Sequence, residues 1–238
     1  MRTFLLLASL AVALPSHAEP APTLQALLAK HVQAIGPIER MQTRRVKLRV
    51  TGIAPFDLPV VVESSRPNLI RKDVRIQDSV QTTAYDGKRA WKTDPFVAGG
   101  ATPATLSPEE TRALLDEADF DGALIKPESK GVKVVYVGQS KVDGRDAHEL
   151  RLTLASGASA TVWLDGVTFL EIKRSQMLPV MGKMQTVDTL ITDYRVVQGI
   201  KVPFRMESGV GSAPQKVLIV TDAVEFNPKL DNARFEKP

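Results

Sequence analysis

The chain contains no cysteine among its 238 residues. This absence excludes disulfide bonds, thiolate metal ligands and a cysteine nucleophile, so an ordinary hydrophobic core must stabilise the fold. It also excludes a lipid-modified cysteine, and we expect a protein without a lipid anchor. Hydrophobic residues make up 43% of the sequence, which is normal for a globular chain with such a core.

Catalytic motifs are also missing. The sequence has no zinc-protease, nucleophile-elbow, phosphate-loop or dinucleotide-binding signature. His31 lies among apolar neighbours on a predicted helix, which is typical of a core or cavity-edge histidine, and His148 and Glu149 point to opposite faces of a strand. The acidic residues between 109 and 121 could pair as in a glycosidase, but they fit a helix N-terminus and a solvated end better. We predict no enzyme, no catalytic residue, no metal and no cofactor.

The first residues have the three-part pattern of a secretory signal peptide. Arg2 precedes an apolar run, residues 4–14, that is too short to cross a bilayer. The small residues Ser16 and Ala18 occupy the two positions that a signal peptidase reads. We predict a signal peptide over residues 1–18 and a single periplasmic domain, soluble and not lipid-anchored, over residues 19–238.

The net charge is small and positive, +4 with an isoelectric point near 9.3. This balance suits an anionic lipid surface or an acidic protein, whereas export argues against nucleic acid as a partner. A generic basic exported protein would show the same modest excess.

Two segments have helical spacing. Leu24 to Ile35 repeats apolar residues on one face, with Thr23 as N-cap and Gly36 as the stop. Ser107 caps a second helix that begins at Pro108, and Glu110 completes a capping box.

The remainder alternates apolar and polar residues, as half-buried antiparallel strands do. Turn residues separate the runs, for example Asp86-Gly87, Asp143-Gly144, Asp165-Gly166 and Gln198-Gly199. We predict a mostly β (α+β) fold: a single unclosed antiparallel β-barrel of about ten or eleven strands, with an N-terminal and a central helix as a lid or plug.

One long apolar sheet face with two short helices favours a hydrophobic hollow that binds an apolar ligand. The same elements could instead enclose a filled core. A predicted hairpin tip is unusually apolar and rich in methionine, a residue that accepts variable apolar partners. We interpret it as an entry lip, with folding back onto the core as the alternative. Its apolar residues are Met177, Leu178, Val180, Met181 and Met184.

Short motifs along most of the chain give a family resemblance. They are Arg66-Pro67-Asn68, Ala84-Tyr85-Asp86-Gly87 with Trp91, the run from Glu117 to Gly122, Gly138, the run from Val142 to Ala147, Trp163-Leu164-Asp165, the run from Phe169 to Lys173, Asp193-Tyr194-Arg195, and Gly199 to Phe204. With them the sequence resembles the exported outer-membrane lipoprotein-sorting (LolA-like) proteins.

The resemblance implies a periplasmic carrier that holds the acyl chains of lipoproteins or related lipids in a hydrophobic cavity. It implies delivery toward the outer membrane, with an inner-membrane exporter and an outer-membrane acceptor as partners, and we expect a monomer. In such carriers an arginine on an early strand latches the lid, and Arg44, Arg45 and Arg49 lie near that region. The cavity residues that we predict from strand and helix spacing are Leu27, Leu28, Val46, Leu48, Val50, Val60, Val62, Leu114, Leu115, Leu150, Leu152, Val162, Leu164, Leu170 and Ile172.

The alternative is a sensor or interaction module of the same fold that binds a lipidated ligand and regulates a membrane partner. The basic strand face formed by Arg45, Lys47 and Arg49 would then contact a protein.

Overall fold

A single antiparallel sheet forms most of the computed structural model, which describes residues 22–180, 183–211 and 213–238. The sheet has thirteen strands in the order β6-β5-β4-β3-β2-β1-β13-β12-β11-β10-β9-β8-β7, and its two edges do not pair, so it is not closed. The predicted unclosed mostly-β architecture is therefore confirmed. The strands are β1 (Thr43–Thr51), β2 (Leu58–Ser65), β3 (Leu69–Ile76), β4 (Ser79–Tyr85), β5 (Ala90–Thr93), β6 (Ala104–Thr105), β7 (Lys133–Val142), β8 (Arg145–Thr153), β9 (Ser159–Asp165), β10 (Glu171–Val180), β11 (Lys183–Val197), β12 (Ile200–Val210) and β13 (Lys216–Phe226).

The strand count exceeds the expected ten or eleven. One reason is β6, a two-residue strand within a segment that is rich in Gly, Ala, Thr and Pro. It pairs with β5 through Trp91 and Thr105. Such a short edge strand has no sequence periodicity to detect.

The two predicted helices are both present. Helix α1 (Leu24–Ile35) begins where the Thr23 hydroxyl accepts a hydrogen bond from the Ala26 amide. Helix α2 (Pro108–Glu117) begins with the complete capping box of Ser107 and Glu110. The caps satisfy amides that the first turn of a helix leaves unpaired, which explains why both helices start where the sequence predicts.

Tight turns hold neighbouring strands in register. Asp143 and Gly144 have φ angles of 48° and 79°, and Gln198 and Gly199 have φ angles of 50° and 82°, as a type I′ turn requires. The segment from Asp86 to Arg89 differs, because the Asp86 carboxylate accepts hydrogen bonds from the Lys88 and Arg89 amides in a four-residue connection.

Both helices pack on the same face of the sheet, which we call the inner face. Leu27 of α1 packs among Leu150, Leu152 and Val162, which alternate with outward residues of β8 and β9. Leu114 of α2 packs against Ile70 at the other end of the sheet. A third cluster lies near the sheet centre and combines Ile38, Met41, Phe120, Ile125, Ile200 and Phe226.

The C-terminal segment covers part of the opposite, outer face. Phe235 is fully buried, and its carbonyl accepts a hydrogen bond of 2.8 Å from the Trp91 indole. Arg234 forms an ion pair of 2.7 Å with the buried Glu63, which also binds Arg45 at 2.8 Å. The last residues therefore fasten the β2–β5 half of the sheet from outside.

Candidate functional site

An apolar surface runs along the inner face between the regions packed by the two helices. We call it the central trough. Its side chains come from β1, β2, β11, β12 and β13, and all are buried or half-buried. They do not belong to the described clusters under the helices or at the sheet centre. They are Leu48, Val50, Val60, Val187, Ile191, Met206 and Ile219.

The strand register makes the trough continuous. Val50 lies opposite Ile219, Ile219 opposite Met206, and Met206 opposite Ile191. Leu48 of β1 lies opposite Val60 of β2, so the apolar surface continues onto β2. Directly opposed side chains on one sheet face lie about 5 Å apart, so these residues form one contiguous apolar strip.

Helix α2 connects the two halves of the sheet beside this strip. Glu110 and Glu117 bind Lys92 and Lys72 of the β3–β5 half, at 2.5 and 2.6 Å. At the C-terminal end of the helix, Asp116 accepts a hydrogen bond of 2.6 Å from Ser156 in the β8–β9 turn. Burial raises the pKa of Asp116. The helix therefore bridges the β3–β5 part of the sheet and the β8–β9 turn.

An arginine and an aromatic ring meet at one end of the trough. The Arg44 guanidinium lies 4.9 Å from the centroid of the Phe120 ring, and Arg66 lies 4.5 Å from the same ring. Arg66 donates a hydrogen bond of 2.8 Å to Asp121. Within the described residues, the buried Nε of Arg44 has no hydrogen-bond partner. Burial lowers the pKa of Arg44, which means that burying this charge is unfavourable for the folded state.

The strand register distinguishes Arg44 from its neighbours. Arg45 binds Glu63 and Glu225 on the outer face, and Arg49 binds Asp222. Of the three arginines considered as latches from the sequence, only Arg44 lies on the inner face.

A second polar group lies beneath the C-terminal half of α1. His31 is 6% exposed, and its Nδ1 lies 2.9 Å from the Phe169 carbonyl oxygen. Burial lowers the pKa of His31, whereas that hydrogen bond and the Glu171 carboxylate oppose the shift. Glu171 itself binds Arg174 at 2.7 Å. These contacts fix α1 to the β9–β10 connection.

The Phe169 ring continues this group toward the sheet edge. It stacks on His148 with centroids 5.8 Å apart, and His148 Nδ1 lies 3.2 Å from the Tyr136 hydroxyl. A shallow depression of about 290 Å³ beside the ring is lined by Lys30, Gln33, Ala34, Thr168 and Phe169. It is too open to enclose an acyl chain.

The predicted cavity residues divide into packed and unpacked ones. Leu27, Leu150, Leu152, Val162 and Leu164 form a sealed cluster, and Leu28 packs against it. Leu114 is buried in the cluster under α2, and Val62 packs there too. Leu170 is buried in the β9–β10 connection, and Val46 is half-buried opposite Val224. Leu48, Val50 and Val60 lie in the central trough.

Two predicted positions are wrong. Ile172 lies on the outer face with Val142, Ala147 and Trp163, because the register shifts between Glu171 and Lys173. A bulge of this kind reverses the alternation from which the position was predicted. Leu115 is 36% exposed on α2, since the buried Leu114 takes the core position and a helix turns about 100° per residue.

The predicted entry lip is split between the two faces. Leu178 and Val180 are half-buried on the inner side, whereas Met177 and Met184 are exposed on the outer side. Met181 lies outside the described residues. The sequence analysis missed Val187, Ile191, Met206 and Ile219, although the alternation in β11–β13 was the signal that could have identified them.

Neither a metal site nor a membrane-spanning helix is found in the part of the chain that the structure describes. No group of three or more histidine and carboxylate side chains there is arranged to hold a metal ion. No helix among the same residues has the length and apolarity needed to cross a membrane. The predicted signal peptide lies outside the described residues.

Comparison with known proteins gives matches in structure but not in sequence. No family model and no curated protein matches the chain. A LolA superfamily protein from Nitrosomonas europaea is 15% identical over 91% of this chain and 99% of that one, with a TM-score of 0.60. An outer membrane lipoprotein-sorting protein domain from Vibrio parahaemolyticus is 12% identical over 90% and 96%, also with 0.60.

A DUF1329 family protein from Desulfovibrio piger is 13% identical over 90% of this chain and 97% of that one, with a TM-score of 0.62. All three likenesses extend over nearly the whole of each chain, so the match concerns the complete architecture rather than a shared hairpin. The chain therefore has the LolA-like fold that its sequence motifs resemble.

Proposed function

We propose that the protein is a periplasmic, non-catalytic carrier that binds the acyl chains of lipoproteins or related lipids and moves them toward the outer membrane. The observation that carries this proposal is the central trough, a continuous apolar strip that no packed cluster fills. In this proposal the signal peptide is removed after Ala18, and the domain that begins at Glu19 acts as a monomer.

The chemistry of the trough favours an acyl chain over a polar ligand. Its residues are aliphatic side chains and one methionine, and the polar pair Thr189 and Ser208 on the same face is hydrogen-bonded to itself at 2.8 Å. Burial of an acyl chain contributes about 0.8 kcal/mol per methylene, so one long chain can reach micromolar affinity after the ordering cost. Methionine at position 206 adapts to chains of different shape.

Helix α2 and the Phe120 segment would serve as the lid. The helix is held to the β8–β9 turn by the hydrogen bond between Ser156 and Asp116. Phe120 is buried in the cluster near the sheet centre and is stacked by both Arg44 and Arg66. Release of cargo would therefore begin with α2 leaving the β8–β9 turn, since the Phe120 end of the lid is firmly packed.

The structural neighbours support this direction. The Vibrio parahaemolyticus domain is described as a lipoprotein-sorting protein, and its likeness covers 90% of the chain. On this basis we propose an inner-membrane exporter as the donor and an outer-membrane protein as the acceptor.

The first test places a charge in the trough. Leu48→Asp should abolish uptake of a fluorescent fatty-acyl probe, because the carboxylate would face the bound chain. Val61→Asp is the matched control, since Val61 is half-buried on the neighbouring strand but faces outward, opposite Lys47. Both variants are checked for folding by circular dichroism. Undiminished uptake in folded Leu48→Asp would rule out the trough as the binding surface.

The second test identifies the cargo. Native mass spectrometry of protein purified from periplasm should show a lipid or acylated peptide at one per chain, which is lost on unfolding. Protein that is empty and also fails to take up the acyl probe would contradict the carrier proposal.

A further inference from the structure

One end of the sheet exposes large apolar side chains on two loops and near the tip of a hairpin. We call this set the apolar rim. It includes side chains that are 41–61% exposed, although large apolar groups are normally buried. They come from the β1–β2 loop, the β5–β6 loop and the β10–β11 hairpin. They are Ile53, Phe56, Phe96, Val97, Met177 and Met184.

The antiparallel topology brings these loops to the same end. Strands β1, β5 and β10 all run toward it, and β2, β6 and β11 all return from it. Hydrogen bonds attach two of the rim loops to neighbouring segments. Gln81 donates to Asp94 at 2.8 Å, and Gln215 of the β12–β13 loop donates to the Gly52 carbonyl at 2.5 Å.

The opposite end has a different character. Its connections include Asp86 to Arg89, Asp143-Gly144 and Gln198-Gly199, which are short and polar. Within the described residues, Val167 and Val196 are the large apolar side chains exposed there. The accumulation of exposed apolar groups is therefore a property of one end and not of loops in general.

Basic residues accompany the apolar rim. Arg75, Lys183 and Lys216 are exposed at strand ends beside it, and none forms an ion pair among residues 22–180, 183–211 and 213–238. Asp57 binds Arg49, whereas Asp94 accepts from the neutral Gln81 amide and keeps its charge, and Asp78 is a further exposed acid. Three basic side chains therefore stand against the two carboxylates of Asp78 and Asp94, which leaves a small positive excess.

We propose that the apolar rim docks on an anionic bilayer surface, with the loop tips in the headgroup region and the basic side chains on lipid phosphates. Separate apolar tips within a basic setting match an interfacial membrane site, in which the apolar groups enter a fluid layer and need no shaped counterpart. The rim is also continuous with the trough, because Val50 precedes the last residue of β1, Thr51, where the loop that carries Ile53 begins.

The test is co-sedimentation of the purified mature protein with vesicles of phosphatidylethanolamine and phosphatidylglycerol, compared with phosphatidylcholine alone. Wild type should bind the anionic vesicles and should be released by high salt. The triple variant Ile53→Ser, Phe56→Ser, Phe96→Ser should bind at least about tenfold more weakly. The double variant Lys183→Gln, Lys216→Gln should lose about fivefold for each lysine on anionic vesicles.

The matched control is Val167→Ser with Val196→Ser, which removes exposed apolar groups from the opposite end and should bind vesicles like wild type. Acyl-probe uptake by the triple variant is measured in parallel and should be unchanged, which separates this proposal from the carrier proposal. Failure of wild type to bind anionic vesicles would overturn membrane docking. Equal losses in the rim variant and the control would also overturn it.

Discussion

Two regions of the same inner face differ in how completely they are covered. Under α1, Leu150, Leu152 and Val162 are at most 1% exposed. In the central trough, Leu48 and Met206 follow the same alternation on the same face but are only half-buried, and the buried members Val60, Val187 and Ile191 are still 7–8% exposed. Alternation therefore decides which face of a strand is apolar, and it does not decide what covers that face.

Simple dimensions explain the difference. Helices of 12 and 10 residues are about 18 and 15 Å long at 1.5 Å per residue, and each is about 10 Å wide. Thirteen strands spaced by about 4.8 Å extend over roughly 60 Å of sheet. Two short helices cannot cover such a face, so part of it is not covered by a helix.

The largest expected effect is in the sealed region. Leu150→Ala should lower the free energy of unfolding by about 3 kcal/mol, because it leaves a cavity in a fully packed cluster. Met206→Ala in the trough should cost less than about 1 kcal/mol, since that side chain is only half-buried. Urea denaturation of both variants measures the comparison. Equal losses would mean that the trough is packed as tightly as the core.

A substitution that fills the trough should separate binding from stability. Ile219→Trp should reduce acyl-probe affinity by about tenfold, because the indole would occupy space that the chain needs. The free energy of unfolding should change by less than about 1 kcal/mol. Leu218→Trp is the control, since Leu218 points to the outer face opposite Glu207. Tighter probe binding by Ile219→Trp would contradict the position of the site.

Acid should weaken the sealed region. Burial lowers the pKa of both His31 and His148 in the folded chain. In moderately acidic solution the unfolded chain therefore binds protons at these histidines, whereas the folded chain keeps them neutral. Stability should therefore fall as the pH decreases below 6.5, the ordinary histidine value. Thermal unfolding across this range should show the loss, and His31→Gln should reduce it. A melting temperature independent of pH would contradict the burial of these rings.

The smallest change in stability is expected at Arg44. Arg44→Met should be neutral or stabilising by about 1 kcal/mol, because it removes a buried charge with an unsatisfied Nε. Arg66→Met should destabilise, since it leaves Asp121 without its partner. Denaturation curves compare the two variants. If Arg44 latches the lid, its replacement should also accelerate probe release, and unchanged release would exclude that role.

Local chemistry made much of the fold predictable. Capping by Thr23 and Ser107 set the helix starts, and Asp143-Gly144 set a type I′ turn, because these signals act within a few residues. The face of Ile172 was not predictable, since its bulge depends on the pairing of β9 with β10. The sequence also could not predict which parts of the inner face the helices cover, because this depends on the tertiary positions of the two short helices.

The pairing of β1 with β13 has a consequence for how the protein is made. Arg44 lies opposite Phe226, so the first and last strands are neighbours. During synthesis, the two halves of the sheet can join completely only after residue 226 has emerged. Val50 meets Ile219 at that moment, and the trough comes into existence with the final strand. A chain that stopped before Lys216 would present two unpaired strand edges and no binding surface, and such edges are prone to aggregation.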